Sequence, residues 1–268
     1  MPLDHAALAM ERGFEGYVLP VRCTAGMLAR RILVEQVDPA ASTVFDLDGE
    51  PAGLLLVARR GPVSRVAALG LAPPLRRRGM GREVMEGAIA AARQRGDRRL
   101  VLEVIVGNHA ALALYEGLGF TRTRRLVGYR HAGEGVAADP GGLAECAVGE
   151  AGRLVAGWSD GNPSWQLAPQ ALELAGSPLR GFTLGPHAAA LVDDTGAEVR
   201  LAGLAVSPAA RRQGAGTALL RALRGRYPGR AWAIPAIVPE GLACAFLARD
   251  GWERGPLGQF EMALSLTA

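Results

Sequence analysis

One stretch of the chain places three arginines directly before a glycine-rich turn. Arg76-Arg77-Arg78 is followed by Gly79-Met80-Gly81, and an apolar-striped helix is predicted to begin there. A turn that opens a helix leaves several backbone N–H groups unpaired at the positive end of the helix dipole. Such a seat suits a polyphosphate, for example the pyrophosphate arm of a nucleotide cofactor.

A second motif follows one strand later, and the two together resemble a known family. The pattern Arg76-x-x-Gly79-x-Gly81, then Asn108-x-x-Ala111-x-x-Leu114-Tyr115-x-x-x-Gly119-Phe120, closely resembles the two core motifs of the Gcn5-related N-acetyltransferases (GNAT). The resemblance covers about residues 42–130. It implies an α/β fold with a mixed sheet, acetyl-coenzyme A as cofactor, and a primary amine on a small molecule or peptide as acceptor.

The resemblance also implies which residues hold the cofactor. N–H groups near Leu69 and Leu71, where the strand would part from its neighbour, would pair with the pantetheine arm and polarise the acetyl carbonyl. Asn108 would hold the pantetheine amides. The pyrophosphate would lie against Arg76, Arg77, Arg78, Gly79, Met80, Gly81 and Arg82.

Two residues have candidate catalytic roles by the same resemblance. An amine is protonated at neutral pH, so transfer needs a base, and Glu103 lies in an otherwise apolar strand where a carboxylate is costly to bury. The alternative is that Glu103 faces the open side of the sheet and pairs with an arginine. Tyr115 would protonate the departing thiolate, and its alternative is an aromatic side chain packed at a helix end.

Other nucleotide motifs and other catalytic arrangements fit less well. A dinucleotide-binding Gly-x-Gly-x-x-Gly would need glycine at Val84, and an ATP-binding P-loop would need a lysine after the glycines. The four histidines are scattered without ligand spacing, and no Ser/His/Asp or Cys/His arrangement is evident. We therefore expect direct transfer and no metal.

Composition bounds the protein class. The 268 residues are 49% hydrophobic and 21% charged, as in globular proteins with a proper core, and there is room for two domains. No apolar run reaches the roughly 18 to 20 residues of a membrane span, which favours a cytoplasmic protein without a membrane partner. Cys23, Cys146 and Cys244 are too far apart to indicate a disulfide framework or a zinc cluster.

The charge does not call for a nucleic-acid partner. The net charge is +4, and all 30 basic residues are arginine, which indicates a compositional bias. The densest basic run, Arg76-Arg77-Arg78, would bind the pyrophosphate of the cofactor if the chain is an acetyltransferase, so it needs no nucleic-acid partner. The oligomeric state stays open.

The predicted elements place these motifs in a regular order. Helices are expected at 3–12, 25–34 and 81–93, and strands at 18–21, 42–45, 52–57, 63–71, 100–106 and 123–130. Asp48-Gly49 is a hairpin turn signal. By the resemblance, the first helical region forms a wall of the acceptor site, which makes wall candidates of Phe14, Glu15, Tyr17 and Glu35, unless the aromatics are core and the carboxylates are solvated.

The turn is repeated later in the chain. Residues 204–216 repeat 69–81 by residue class at an offset of 135, with a following helix at 217–223 and strand at 231–238. We therefore expect two tandem GNAT folds, 1–134 and 135–268. The cofactor contacts expected in the second copy are Val206, Arg211, Gly214 and Gly216.

The second copy lacks the chemical groups of the first. Leu247 aligns with Tyr115, Glu240 with Asn108, and Pro235 with Glu103. Residues 143–158 are expected to form little more than a strand pair. The first unit is thus predicted to be an N-acetyltransferase, and the second to be a structural partner that retains the phosphate seat. The alternatives are transfer of another acyl group, or an acyl-coenzyme A sensor that only binds.

Overall fold

The computed structural model describes residues 2–133 and 141–267, and the chain divides into two compact units. Unit 1 comprises Met1–Arg124 and Phe260–Ala268, and unit 2 comprises Arg125–Gln259. The boundary expected between 134 and 135 lies outside the described residues. Residues 260–268 belong with unit 1. A single division between 134 and 135 would have placed them in the second unit.

The elements of unit 1 follow the predicted order. Its helices are α1 (Leu3–Gly13), α2 (Ala25–Glu35), α3 (Met80–Gln94) and α4 (His109–Glu116). Its strands are β1 (Thr43–Leu47), β2 (Glu50–Arg60), β3 (Val63–Leu71) and β4 (Arg99–Ile105), with residues 121–124 of β5 (Thr121–His131) and 260–265 of β11 (Glu253–Ser265). The sheet order is β1-β2-β3-β4-β11-β5.

Helices cover both faces of this sheet. Strand β2 is buried over eight consecutive residues from Pro51 to Ala58, which requires packing on both sides. Leu55 and Val57 join Met85 of α3 and Leu112 of α4 in one core, while α1 packs on β2 and β3. Met262 of β11 is fully buried in the same core, so the end of the chain completes unit 1.

Unit 2 has the same plan. Its helices are α5 (Val148–Trp158), α6 (Pro169–Leu172), α7 (Ala215–Arg226) and α8 (Cys244–Arg249). Its further strands are β6 (Leu143–Cys146), β7 (Arg180–Leu184), β8 (Ala188–Asp193), β9 (Val199–Val206) and β10 (Trp232–Pro239). The sheet order is β11-β5-β10-β9-β8-β7-β6, in which β9 and β10 are parallel.

Two predicted segments were wrong. Residues 18–21 form no strand: Pro20 has no N–H to pair, and Val18 and Leu19 are exposed. Residues 143–158 form β6 followed by the helix α5 rather than a strand pair. Glycines lower the helix propensity of α5, but burial of Ala151 and Val155 against the sheet stabilises it.

Within the described residues, every helix is too short or too polar to cross a membrane. The cytoplasmic location expected from the sequence stays a prediction.

Candidate active site

The glycine turn before α3 has a left-handed backbone that recurs before α7. Arg77 and Arg212 both have a φ of 60°, and Gly79 and Gly214, which directly precede α3 and α7, have φ of 82° and 86°. The equivalent residues are 135 apart, as the repeat predicts. Each turn presents the first N–H groups of its helix outward, where they have no acceptor within the helix. Both turns therefore have the geometry of a phosphate seat.

The side chain of the first arginine in each turn donates to backbone carbonyls of its own unit. The Arg76 guanidinium donates to the Leu71 carbonyl at 2.6 Å and to the Glu15 carbonyl at 2.6 Å. Arg211 donates likewise to the carbonyls of Val206 and Trp158. These donors bind carbonyls where α1 and α5 end, and the expected contacts of Arg76 and Arg211 with a pyrophosphate stay predictions.

The remaining positive charge at the unit 1 turn faces solvent. Arg77, Arg78 and Arg82 are exposed, and Arg82 has a partner in Glu86 one helical turn along. A Cβ atom added at Gly79 would meet no atom within 4 Å. The surroundings of this turn therefore fit a diphosphate, through backbone N–H groups and the exposed arginines.

Strand β3 separates from β4 beside this turn. The parallel pairing runs from Val63 with Arg99 to Val66 with Leu102 and stops there, although both strands continue. A register shift between β2 and β3 makes Ala67 an extra residue, a β-bulge at the point of separation. The edge of β3 around Leu69 and Leu71 therefore faces a gap, as expected for N–H groups that bind an extended ligand.

Unit 2 repeats the bulge and the gap. Pairing of β9 with β10 covers only Val199 and Arg200, and a register shift between β8 and β9 makes Ala202 the extra residue. Ala67 and Ala202 are 135 apart. Nothing in the two sequences distinguishes these alanines from their neighbours, so only the pairing register identifies the bulges.

Tyr115 lies in the core beside the gap of unit 1. Its side chain is 8% exposed and packs in one cluster with Val66 and Leu102, the last paired residues of the two strands. Burial raises the pKa of Tyr115 well above its ordinary value, and the nearby Tyr17 raises it further. The hydroxyl is consequently protonated at neutral pH and available as a proton donor.

Two of the four wall candidates reach this region. The Phe14 ring covers Gly70, where an added Cβ would come within 2.7 Å of the ring, and Tyr17 packs edge-on against Phe14. Burial raises the pKa of Tyr17, and a hydrogen bond from the Asn108 side chain opposes that rise. The Asn108 side chain also caps α4 by accepting from the Ala111 N–H.

Glu103, the candidate base, is held in a buried ion pair. The guanidinium of Arg65, on β3, donates to both carboxylate oxygens of Glu103, at 3.0 and 2.7 Å from Nε. Arg65 also pairs with Glu35, the third wall candidate. The arginine partner is the one that the alternative for Glu103 predicts, but the pair is buried rather than on an open face of the sheet. Both oxygens already accept hydrogen bonds, so proton acceptance would break the pair.

The cluster around Arg65 balances its own charge. Burial would raise the pKa of Glu35, but Arg31 and Arg65 together hold it below its ordinary value. Burial likewise opposes the charged form of Arg65, and Glu103 and Glu35 outweigh it, so the pKa of Arg65 is raised. Sequence reasoning missed Arg65, although an arginine inside the apolar run Val63–Leu71 was a visible signal. The fourth wall candidate, Glu15, contributes its carbonyl to Arg76.

The equivalent positions of unit 2 have a different chemical character. Leu247 is buried where unit 1 has Tyr115, and Glu240 forms an ion pair with Arg254. Pro235 replaces Glu103. The turn, the bulge and the gap are thus common to the two units, whereas the tyrosine and the carboxylate of Tyr115 and Glu103 are specific to unit 1.

Comparison with known proteins agrees with this repeated architecture. The sequence pattern of the Acetyltransferase (GNAT) family matches residues 19–120 and again 155–235. The chain belongs to the GNAT family. A tandem GNAT protein from the clavulanic acid biosynthesis pathway superposes with a TM-score of 0.63 at 20% identity, over 99% of this chain and 94% of that one. Two tandem GNAT folds therefore make up the chain.

Local relatives of this GNAT chain have named activities. A mycothiol acetyltransferase of Thermobispora bispora is 41% identical over 70 residues, which is 26% of this chain and 24% of that protein. An N-alpha-acetyltransferase of Arabidopsis thaliana is 42% identical over 64 residues, 24% of this chain and 34% of that protein. The chain thus matches only a quarter to a third of these relatives' lengths, and membership of the family supports acyl transfer to an amine in general terms.

Proposed function

We propose that this chain is an acetyl-coenzyme A-dependent N-acetyltransferase that acetylates a primary amine, and that the reaction takes place in unit 1. One observation carries the proposal: the buried Tyr115 packs with Val66 and Leu102 beside the gap between β3 and β4, and unit 2 has Leu247 in its place.

Acetyl-coenzyme A would supply a thioester-activated acetyl group. The N–H groups of Gly79, Met80 and Gly81 would bind its diphosphate, helped by the exposed Arg77, Arg78 and Arg82. The unpaired edge of β3 at Leu69 and Leu71 would bind the extended arm and polarise the carbonyl. The Asn108 side-chain oxygen accepts a hydrogen bond from the Ala111 N–H at the start of α4. Its NH2 group is therefore the part that faces Tyr17 and that would bind the pantetheine arm.

Tyr115 acts as the proton donor in this proposal. Burial raises its pKa, so the hydroxyl keeps its proton at neutral pH, and its position beside the gap would bring that proton to the sulfur as the C–S bond breaks. The amine attacks in its neutral form, the C–S bond breaks, and the proton that nitrogen loses returns through water to Tyr115. Tyr17 contributes by closing the gap: its ring rests on Phe14, which in turn lies on Gly70. A narrow, water-poor gap keeps the amine and the thioester in contact, and much of the rate gain comes from that placement.

Glu103 has a positioning role in this proposal. It holds Arg65 across the two strands immediately after their last pair, Val66 with Leu102. The ion pair fixes the width of the gap that the acyl group would enter.

The relatives indicate which acceptors to test. One local relative is named for acetylation of mycothiol and the other for acetylation of α-amino groups. We therefore propose an acceptor with an accessible primary amine, on a small molecule or at a peptide terminus.

A thiol-release assay with acetyl-coenzyme A across a panel of small primary amines and peptides with free α-amino groups tests the proposal. The expected result is acceptor-dependent release for at least one class, with the acetyl group found on nitrogen by mass spectrometry. Binding of acetyl-coenzyme A without release for any amine would contradict it and would favour a protein that only binds acyl-coenzyme A.

A further inference from the structure

Unit 2 contains a cavity of about 600 Å³ that runs from its glycine turn into the gap between β9 and β10. Arg212, Gly214 and Thr217 line the end at the turn. The lining also includes Val155 of α5 and Phe246 of α8. These two side chains pack in separate core clusters, so the cavity passes between the strands from one layer of helices to the other.

The lining changes from polar to apolar along this path. Beyond the turn it consists mainly of aliphatic side chains, among them Leu167, Leu172, Leu201, Leu204, Ile234 and Ile237. The residue that replaces the proton donor, Leu247, also lines the cavity. A volume of this size lies in the range of about 300 to 1,000 Å³ found for small-molecule sites. The apolar part is therefore suited to bind a hydrocarbon rather than a charged amine.

In unit 1 a phenylalanine ring takes up part of the corresponding space. The residue that follows α1 is Phe14, whose ring lies on Gly70 of β3. The residue that follows α5 is Ser159, which lines the cavity, and the counterpart of Gly70 is Ala205. Replacement of a phenylalanine by a serine at the end of the helix leaves more room in unit 2 than in unit 1 beside the gap.

We propose that unit 2 is a binding site for an acyl-coenzyme A with an apolar acyl chain longer than acetyl, held without reaction. The diphosphate lies on the turn before α7, and the chain passes between β9 and β10 into the space beside α5 and α6. Among the described residues, Leu247 stands where unit 1 has Tyr115, so unit 2 lacks the proton donor proposed for unit 1. The bound molecule therefore acts as a ligand and not as a substrate. This site does not depend on the reaction proposed for unit 1.

The affinity of unit 2 should depend on the length of the acyl chain. Each methylene buried in an apolar site raises affinity by about fourfold, from about 0.8 kcal/mol per methylene. Affinity at unit 2 should rise by this factor from acetyl through hexanoyl until the chain fills the cavity. A site for the coenzyme alone would show no such rise.

Calorimetric titration of the full chain with acetyl-, hexanoyl- and decanoyl-coenzyme A tests the proposal. The Gly81→Glu variant removes the seat of unit 1, so that the remaining heat reports unit 2. The expected result is one site that binds hexanoyl- or decanoyl-coenzyme A at least about 60-fold more tightly than acetyl-coenzyme A, as three or more buried methylenes require. Equal affinity for the three acyl lengths, or no binding, would overturn the proposal.

Two further variants locate the ligand. Ala202→Phe places a ring at the bulge, in the passage between the strands, and should remove the preference for long chains while acetyl-coenzyme A still binds. Thr217→Glu places a carboxylate at the phosphate end, where the first turn of a helix tolerates it, and should weaken all three ligands alike. Ala67→Phe in unit 1 is the matched control and should leave the preference unchanged.

The outcomes separate this proposal from that for unit 1. Chain-length preference that survives Ala202→Phe in a protein shown by circular dichroism to be folded would contradict the route between β9 and β10. If Ala202→Phe does not fold, Thr217→Glu decides whether the ligand occupies this site. Release of thiol from hexanoyl-coenzyme A by the Gly81→Glu variant would show that unit 2 reacts. Failure of every amine in the acetylation assay leaves all these results unaffected.

Discussion

Units 1 and 2 have the same backbone at the site and different side chains. The left-handed residues of the turn, the bulge and the early end of the parallel pairing recur at an offset of 135 residues. What differs is a tyrosine, an amide and a carboxylate on one side, against Leu247, Glu240 and Pro235 on the other. The backbone therefore determines where a thioester would lie, and the side chains determine whether it reacts.

The two units also differ in where they bury charge. Unit 1 places Arg65 between Glu35 and Glu103 directly beside its strand gap. Unit 2 buries Arg224 with Asp250, which joins α7 to the end of α8. A charged cluster thus lies beside the gap of unit 1, whereas the gap of unit 2 opens into an apolar cavity.

The largest effect is expected from closing one phosphate seat at a time. Gly81→Glu should abolish turnover and binding of acetyl-coenzyme A at unit 1, since a carboxylate at the turn repels the diphosphate. An added Cβ at Gly81 lies 3.6 Å from Leu114, an ordinary contact, so the fold should survive. Steady-state thiol release measures the effect.

The matched change in unit 2 is Gly216→Glu, and Gly81→Ala controls for the loss of glycine. Both should retain turnover. Loss of turnover in Gly216→Glu with full activity in Gly81→Glu would reverse the assignment of the reaction to unit 1.

Removal of the Tyr115 hydroxyl should have the next largest effect. Tyr115→Phe should lower kcat by about 10²- to 10⁴-fold, the usual contribution of a positioned acid, with little change in KM for acetyl-coenzyme A. Tyr227→Phe in unit 2, which removes a hydroxyl that donates to Asp194, should leave kcat unchanged. Equal kcat values for Tyr115→Phe and the unmodified protein would remove Tyr115 from the mechanism.

The pH profile of kcat tests the same hydroxyl independently. Burial raises the pKa of Tyr115 above its ordinary value of about 10, so the proton that it donates is retained as pH rises to that value. No alkaline loss of kcat attributable to Tyr115 should occur below about pH 10. An alkaline limb near pH 8 that disappears in Tyr115→Phe would contradict the raised pKa.

The role of Glu103 is tested through stability. Glu103→Gln leaves the buried Arg65 with a single carboxylate, and should lower the free energy of unfolding by about 3 kcal/mol, as for other broken buried pairs. Asp250→Asn, at the buried pair of unit 2, should cost a similar amount. Chemical denaturation of both variants measures this.

Turnover then separates an ion-pair role from a base. The folded Glu103→Gln protein should retain kcat within about tenfold, whereas loss of a general base costs about 10²-fold or more. A fall of the larger size, with an acid limb of the pH profile that the variant abolishes, would restore Glu103 as the base.

The smallest effect is expected at the exposed arginines. Arg77→Ala should raise KM for acetyl-coenzyme A about two- to fivefold, because a solvent-exposed charge contributes little. The equivalent Arg212→Ala should leave KM unchanged. A hundredfold effect of Arg77→Ala would mean that the side chain, rather than the backbone of the turn, holds the diphosphate.

The sequence predicted the parts of the fold that depend on local chemistry. The turn at 76–81, its repeat at 211–216 and the Asp48-Gly49 hairpin each need residues of a particular type. The structure has left-handed backbone at Gly79, Gly214, Asp48 and Gly49. The strands at 63–71 and 100–106 were recognisable because they are buried and nearly continuous in apolar residues.

The parts that depend on tertiary packing were not predictable in the same way. Strand β11 was missed, although Phe260, Met262 and Leu264 alternate, because its partners lie far away in sequence. The helix α5 has a glycine-rich composition that conceals it. The side chains of Arg76 and Arg211 bind carbonyls of other elements, and Glu103 pairs with Arg65 of a neighbouring strand. These partners are distant in sequence, so residue type alone did not reveal them.

A crystal structure of the full chain with acetyl-coenzyme A bound would test the central claim most directly. The account predicts that the diphosphate lies on the N–H groups of residues 79–81 and that the sulfur lies within hydrogen-bonding distance of the Tyr115 Oη. A structure in which the gap between β3 and β4 is empty, or in which the only acetyl thioester lies against Leu247, would contradict it.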